Sequence, residues 1–464
     1  MSIQISGVYG GGSKINGVKG EYLATANIAK GDFVQLTTKG VEEVAFTEVT
    51  TIETIKDARL VSAAILSPTK AIIAIVERSA PSGTAPTTVC VQALHYVNGT
   101  WTAGTKLVIS NHTGGGDRIN VCRLSESKAM LIYTNMDVLN SGIYVLDVTN
   151  ENITVESSLL DITYFSGGSS GNAGTSQIVS VALTDDTVVM MHEYSSNGIG
   201  YAYPWVITYK NGTISTQRLS NLSRATFTLS ICKLNDQTAL LSKVATSSDY
   251  AANYRIITVV GESVAEKVSM ISAGTNNSND NNGKIAGLRE NAAIMSGWGY
   301  TSPETAGVYL LEYDPDTGTL KKSDMGIKRD GEYRFWEGHK MSDTEMVVLA
   351  STERYPEDAD DNLYLSVIDV ETGTCLTKFA PISAEGKGRY YDITYVGYGW
   401  MIAFSGVTSV LVAPLISQTT AAPYSTRLDG VASKGATAGQ MAEVITPRIE
   451  GTSDEIHVSY PVVS

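Results

Sequence analysis

No stretch of this 464-residue chain approaches the roughly 18 consecutive apolar residues that a membrane-spanning helix needs. The first residues, MSIQISGVYGGGSK, lack the basic start and apolar centre of a secretory signal. Cysteine is scarce: Cys90, Cys122, Cys232 and Cys375 are widely spaced and form no CxxC pair. They read as reduced, buried apolar residues of a soluble protein made in a reducing compartment. Basic runs are missing too. Lys and Arg total 34 against 48 Asp and Glu, a net charge of −14. That balance argues against nucleic-acid partners, whose affinity rests on neutralised phosphates, and against anionic membranes or membrane insertion. Helical periodicity is almost absent.

What the chain does contain is a repeat. Residues 61–76, VSAAILSPTKAIIAIV, form a β-rich run, a tight polar turn and a second β-rich run. The pattern returns from Ile119, Ile178, Phe227, Lys284, Glu337 and Asp392. The apolar residue before each turn falls at Leu66, Leu124, Leu183, Leu234, Leu288, Met341 and Val396, with spacings of 58, 59, 51, 54, 53 and 55. Each full copy continues through a longer polar loop into a third strand, a tight turn and a fourth. Third strands include 89–97, 142–149, 203–210, 307–314 and 363–370, and the turns at 98–100, 211–213, 316–319 and 371–374 read NGT, NGT, DTGT and ETGT. Asn-Gly and Asp-x-Gly are hairpin chemistry, because glycine supplies positive φ. Four antiparallel strands per roughly 50 residues, seven times over, predict an all-β fold: a seven-bladed β-propeller with kelch-like spacing over residues 46–416. The seventh copy lacks a fourth strand. Residues 48–58, EVTTIETIKDA, look like that strand and are expected to complete the last blade, removing an exposed edge.

Residues 1–45 and 417–464 differ in composition and are expected to form one small β-domain, with 26–44 pairing with 429–445 across the inserted propeller. The segments IAKGDFVQL and GVASKGATAGQMAEVI resemble the small β-domain of tailed-bacteriophage virion surface proteins, of the capsid-decoration, head-fibre and fibre type. Lys30, Gly31, Asp32, Val34, Gly430, Val431, Ala432, Gly435, Gly439 and Val444 carry the likeness. It implies a virion structural protein, anchored through the terminal domain, made in the host bacterial cytoplasm and located on the virion surface. The partners it implies are other virion proteins of capsid or tail and further copies of the chain, as a homo-oligomer. A tail-fibre or receptor-binding role is the alternative within that class.

Independently of the likeness, a fourth strand at 48–58 makes both links to the terminal domain leave the tight-turn face. The longer loops 77–88, 194–202, 297–307 and 353–362 then point away, a geometry suited to adhesion, since loops on a rigid scaffold carry binding residues. Tyr194, Tyr201, Trp298, Tyr300 and Tyr355 are the candidate contacts for a host surface glycan or protein. Tyr203 and Trp205 fit a strand and core packing equally well.

No catalytic residue, cofactor or metal is expected. The five histidines lack ligand spacing, and Glu357, Asp358, Asp360 and Asp361 are weak candidates for a hard cation, better read as a solvated loop. Asp314, Asp316 and Gly318 read as a hairpin turn. No Ser-x-Asp-x-Gly-x-x-Trp box occurs, although Arg334 and Arg389 can meet in space. The chain is thus expected not to be an enzyme, with a propeller glycan hydrolase or lyase as the rival reading, decided by the spacing of loop-face carboxylates.

Overall fold

The structure is a computed structural model. It describes residues 17–30, 33–37, 39–43, 50–56, 58–67, 69–78, 86–97, 100–113, 117–135, 142–149, 151–160, 178–196, 199–220, 229–244, 252–261, 263–272, 284–296, 307–328, 334–340, 343–351, 363–371, 374–375, 380–382, 388–395, 400–406, 410–416, 418–419, 425–426 and 430–447. The fold is all-β and dominated by four-stranded antiparallel sheets that succeed one another along the chain. The first holds Ala58–Ser67, Lys70–Arg78 and Pro86–Val97; its fourth place is shared by Thr100–Ala103 and Leu107–Thr113. Further sheets span 118–160, 178–218, 229–272, 284–328 and 334–382. In the last, Gly388–Tyr395, Trp400–Gly406 and Val410–Ile416 are joined by Thr50–Lys56 from the other end of the chain, as residues 48–58 led us to expect.

The first strands stand side by side, each next to that of the following sheet, and Gly388–Tyr395 lies against Ala58–Ser67. Sheets therefore pack face to face, and the core is a series of clusters between neighbours. Val188 and Met190 point into the cluster shared with the preceding sheet, with Met130, Ile132 and Ile207. Val189 and Met191, one residue out of step, point into the next, with Leu241, Ile257 and Val259. Side chains alternate across a strand, so a strand covered on both faces must be apolar at every position. This is why second strands read VVMM or AIIAIV instead of alternating. Each fully buried Val, Ile or Met contributes about 1.5–3 kcal/mol relative to exposure. The repeat landmarks Leu66, Leu124, Leu183, Leu234 and Leu288 are all buried; Met341 and Val396 lie outside the described residues. At the turn after Ile199–Lys210, Asn211 and Gly212 have φ of 52° and 77°, the double positive φ of a tight hairpin turn.

Two loop assignments need correction. Residues 194–202 are not a long loop: the ladder between Thr187–Ser196 and Ile199–Lys210 runs on through Tyr194↔Tyr201 to Ser196↔Ile199. Tyrosines and Ile199 supply strand-forming side chains up to the Asn197-Gly198 turn signal. The loop at 77–88 is likewise shortened, because Pro86–Val97 pairs with Lys70–Arg78 as far as Thr87.

The chain ends meet in a separate five-stranded sheet. Its order is Gly17–Leu23, Met441–Pro447, Gly430–Lys434, Phe33–Thr37, Gly40–Glu43. The expected pairing of 26–44 with 429–445 is short, Phe33↔Val431 and Val34↔Gly430. The longer ladder runs from Met441–Pro447 to Gly17–Leu23, seven pairs in register. A hairpin has two open edges, and the second one takes the first strand of the chain. A parallel bridge between Ala24 and Val41 brings the two ends of this sheet together around buried Ala24, Ile28, Val34, Val41, Ala432, Ala442 and Val444. Ile28 and Ala436 exchange backbone hydrogen bonds of 2.8 and 2.9 Å, and Ala438 N–H donates to Asn27 Oδ1. A Cβ on Gly435 would stand 2.8 Å from the Ile28 carbonyl oxygen, so only glycine admits this approach.

Candidate functional site

In the antiparallel sheets, first-to-second and third-to-fourth turns share one end, and the other end carries the connectors and second-to-third loops. Thr50 pairs with Leu415, so both links to the terminal sheet leave at the tight-turn end. Tyr194 and Tyr201 are register partners on adjacent strands at the opposite, loop-bearing end. Trp298, Tyr300, Tyr355, Glu357, Asp358, Asp360 and Asp361 lie outside the described residues. Trp205 is buried in the cluster with Met190 and Ile207, which makes it a core residue. Tyr203 is half-buried, and the Arg218 guanidinium sits 5.0 Å from its ring centroid. Arg334 and Arg389 are at the starts of adjacent first strands, at the loop-bearing end.

Of the terminal-sheet residues, Gly31 and Asp32 lie outside the described set. Lys30 is exposed beside the Gly435 approach, Val34 is fully buried, and Gly430 and Val431 open an inner strand. Gly439, at φ 83°, makes the turn between the hairpin strands. The acidic DPDTG stretch is a turn: Asp314 Oδ1 accepts from the N–H groups of Asp316 and Thr317, and Oδ2 from the Thr317 hydroxyl. The Thr317 hydroxyl, then those N–H groups, hold the Asp314 carboxyl below its ordinary value. Among the described residues, no group of three His, Cys, Asp or Glu converges. No helix there is long and apolar enough to cross a membrane.

The loop-bearing end does hold a constellation that spacing alone did not reveal. His112 ends the outer part of the first sheet, Asp117 precedes the first strand of the second, and Tyr133 and Asn135 close that sheet's second strand. Packing of the two sheets brings all four together. Asp117 Oδ1 accepts from the Tyr133 hydroxyl at 3.0 Å and the Asn135 amide at 2.6 Å, and His112 Nε2 lies 3.0 Å away. The Asp117 side chain is fully buried and that of His112 is 5% exposed. Asp117 Oδ2 and His112 Nδ1 have no hydrogen-bond partner among the described residues. Burial, then the Asp117 charge, pushes the Tyr133 phenol far above its ordinary value. A buried carboxylate so loaded fixes the imidazole orientation and ties the connector between the sheets. It also leaves an acceptor and a ring nitrogen uncommitted, the equipment of acid–base chemistry.

Arg118 donates to the Asp117 carbonyl and faces His192 on the third sheet. Burial first, then the Arg118 charge, lowers the His192 pKa to about 4. His112 and Asp117 stand close together in NHTGGGD, but nothing in that stretch places Tyr133 and Asn135 beside them.

No protein-family model and no curated protein matches the chain. Among solved structures it is similar to the six-bladed β-propeller lectin of Aleuria aurantia (9% identity, 72% of this chain and 100% of that one, TM-score 0.36). It is also similar to an α-L-arabinofuranosidase of Fusarium graminearum (9%, 80% and 98%, TM-score 0.41) and a Hadza microbial sialidase (9%, 81% and 69%, TM-score 0.39). The expectation that the chain is not an enzyme is corrected at this point. Two of these three neighbours are glycosidases, so a non-enzymatic role does not follow from the architecture.

Proposed function

We propose that this chain is a particle-attached recognition protein of a tailed bacteriophage. Residues 1–45 and 417–464 are its attachment domain, and residues 46–416 a seven-bladed β-propeller closed by Thr50–Lys56. The propeller's loop-bearing end meets the host surface or its glycans. The observation that carries this reading is the Thr50↔Leu415 pairing, which sends both links to the terminal sheet out of the tight-turn end, opposite the loop-bearing end. Side-by-side first strands, with the last against the first, support closure. A decoration or head-fibre position on the capsid, in several symmetric copies, is the leading assignment, and a tail-fibre position the next. Co-sedimentation of the labelled full chain with particles lacking it tests attachment. Saturable binding that an excess of unlabelled chain competes away is expected; no binding overturns the reading.

A second reading, a glycan hydrolase or lyase, is supported by the buried Asp117–His112 pair at the loop-bearing end. Release of new reducing ends or unsaturated uronates from surface polysaccharide, abolished in His112→Ala, would place it first.

A further inference from the structure

A different part of the molecule holds an open crevice of about 400 Å³, between the third and fourth strands of neighbouring sheets. One wall is built by Ile199–Lys210 and Thr213–Arg218, the other by Ala252–Val260 and Ser263–Ser272. Its volume falls within the roughly 300–1,000 Å³ of small-molecule sites.

The crevice exists because of a choice of side chains. On the opposite face of the same strands, the gap to the preceding sheet is filled. Tyr209 and Ile214 are buried there, Lys128 of the preceding sheet lies 5.6 Å from the Tyr209 ring centroid, and the Ser157 hydroxyl donates across the gap to the Gly212 carbonyl at 2.9 Å. On the crevice side, the alternate positions are Val206, Thr208 and Lys210, with Ser215 hydrogen-bonded to Thr208. Among the described residues no aromatic ring lines this side, and the gap stays open.

The floor is apolar, from Val206, Val259 and Val264, and the rim carries hydroxyls and an amide. Among the described residues the lining contains one cation, Lys210, and no carboxylate. Lys210 is exposed and makes no hydrogen bond or ion pair among the described residues; the Asp186 carboxylate acts on it only through space, being itself occupied by the Thr184 and Thr187 hydroxyls. An uncommitted ammonium beside hydroxyls over an apolar floor suits a ligand with one anionic group, several hydroxyls and a C–H face.

We infer that this inter-sheet crevice binds an acidic saccharide, its carboxylate on Lys210, its hydroxyls on Ser215 and Thr213, and its apolar face on Val206 and Val259. The site is distinct from the loop-bearing end and does not rest on the particle reading.

The test is ligand-observed NMR and calorimetry on the full chain with D-glucuronate, and with D-glucose as the neutral comparison. Glucuronate is expected to bind more tightly than glucose. Lys210→Gln, a change at an exposed position, should weaken glucuronate about tenfold and leave glucose unchanged, as loss of one charge-assisted hydrogen bond requires. Ser215→Tyr, which sets a ring across the crevice, should abolish both while the melting curve stays as in the unaltered chain. Failure of glucuronate to bind, or binding indifferent to both substitutions, overturns the assignment.

Discussion

Replacing Asp117 by alanine is the most informative single perturbation of the loop-bearing end. Its Oδ1 takes hydrogen bonds from Tyr133 and Asn135, whose side chains are buried with it, and lies 3.0 Å from His112 Nε2. Alanine removes the acceptor that the phenol and the amide share in a buried site, leaving the amide its 3.0 Å contact with His112 Nε2. Each group that loses this acceptor costs about 1–3 kcal/mol, so a loss of about 3–4 kcal/mol is expected, a large share of a typical net stability of about 5–15 kcal/mol. Asp117→Asn keeps one acceptor and should cost about half as much. Urea unfolding followed by tryptophan fluorescence reads both. The pairwise part is isolated in a Tyr133→Phe background, where the phenol is no longer there to strand. There the Asp117→Ala loss should shrink by about 1 kcal/mol or more. If Asp117→Ala shifts stability by less than about 0.5 kcal/mol, or if its cost is the same with Phe at 133, the carboxylate does not organise this end of the molecule.

The remaining expectations concern pH, attachment and the shared last sheet. His192 is held neutral in the fold with a pKa of about 4, whereas the unfolded chain protonates it near its ordinary 6.5. The unfolded state therefore binds more protons between those values, and stability falls as pH drops from about 6.5 to about 4, by at most about 3 kcal/mol; His192→Gln should flatten that part of a pH–stability profile. Gly435→Val forces a side chain against the Ile28 carbonyl and the Lys30 N–H, and should abolish particle co-sedimentation while tryptophan fluorescence of the repeat region is unchanged. Thr54→Pro places a ring without an N–H opposite Val412 inside this strand and should raise the aggregation rate seen by light scattering, because the Val410–Ile416 edge loses its partner.

Much of the fold was legible because its determinants are local and repeated. The leucine before each first turn stays buried in every described copy, and Asn211-Gly212 takes the positive φ its sequence requires. Even the Thr50–Lys56 strand was readable, from the absence of a fourth strand in the seventh copy. Gly17–Leu23 was not singled out, although Val18, Gly20 and Tyr22 alternate, because a strand with one glycine in its middle carries little apolar signal. The stretch at 194–202 was misread because Ser195 and Ser196 are loop-like in composition, while the ladder runs on to Ser196↔Ile199. The His112–Asp117–Asn135 cluster and the crevice escaped for a different reason. The cluster depends on two sheets packing side by side, and the crevice on small side chains facing each other from strands some 50 residues apart. Neither leaves a spacing in the sequence.

In the proposed function the terminal sheet holds the repeat region on a phage particle. Electron microscopy of purified intact particles labelled with an antibody against the repeat region tests it most directly. Regular label over the particle surface, lost from particles grown without this chain, is the predicted result. Unlabelled particles, with the protein recovered only free in the lysate, would contradict it.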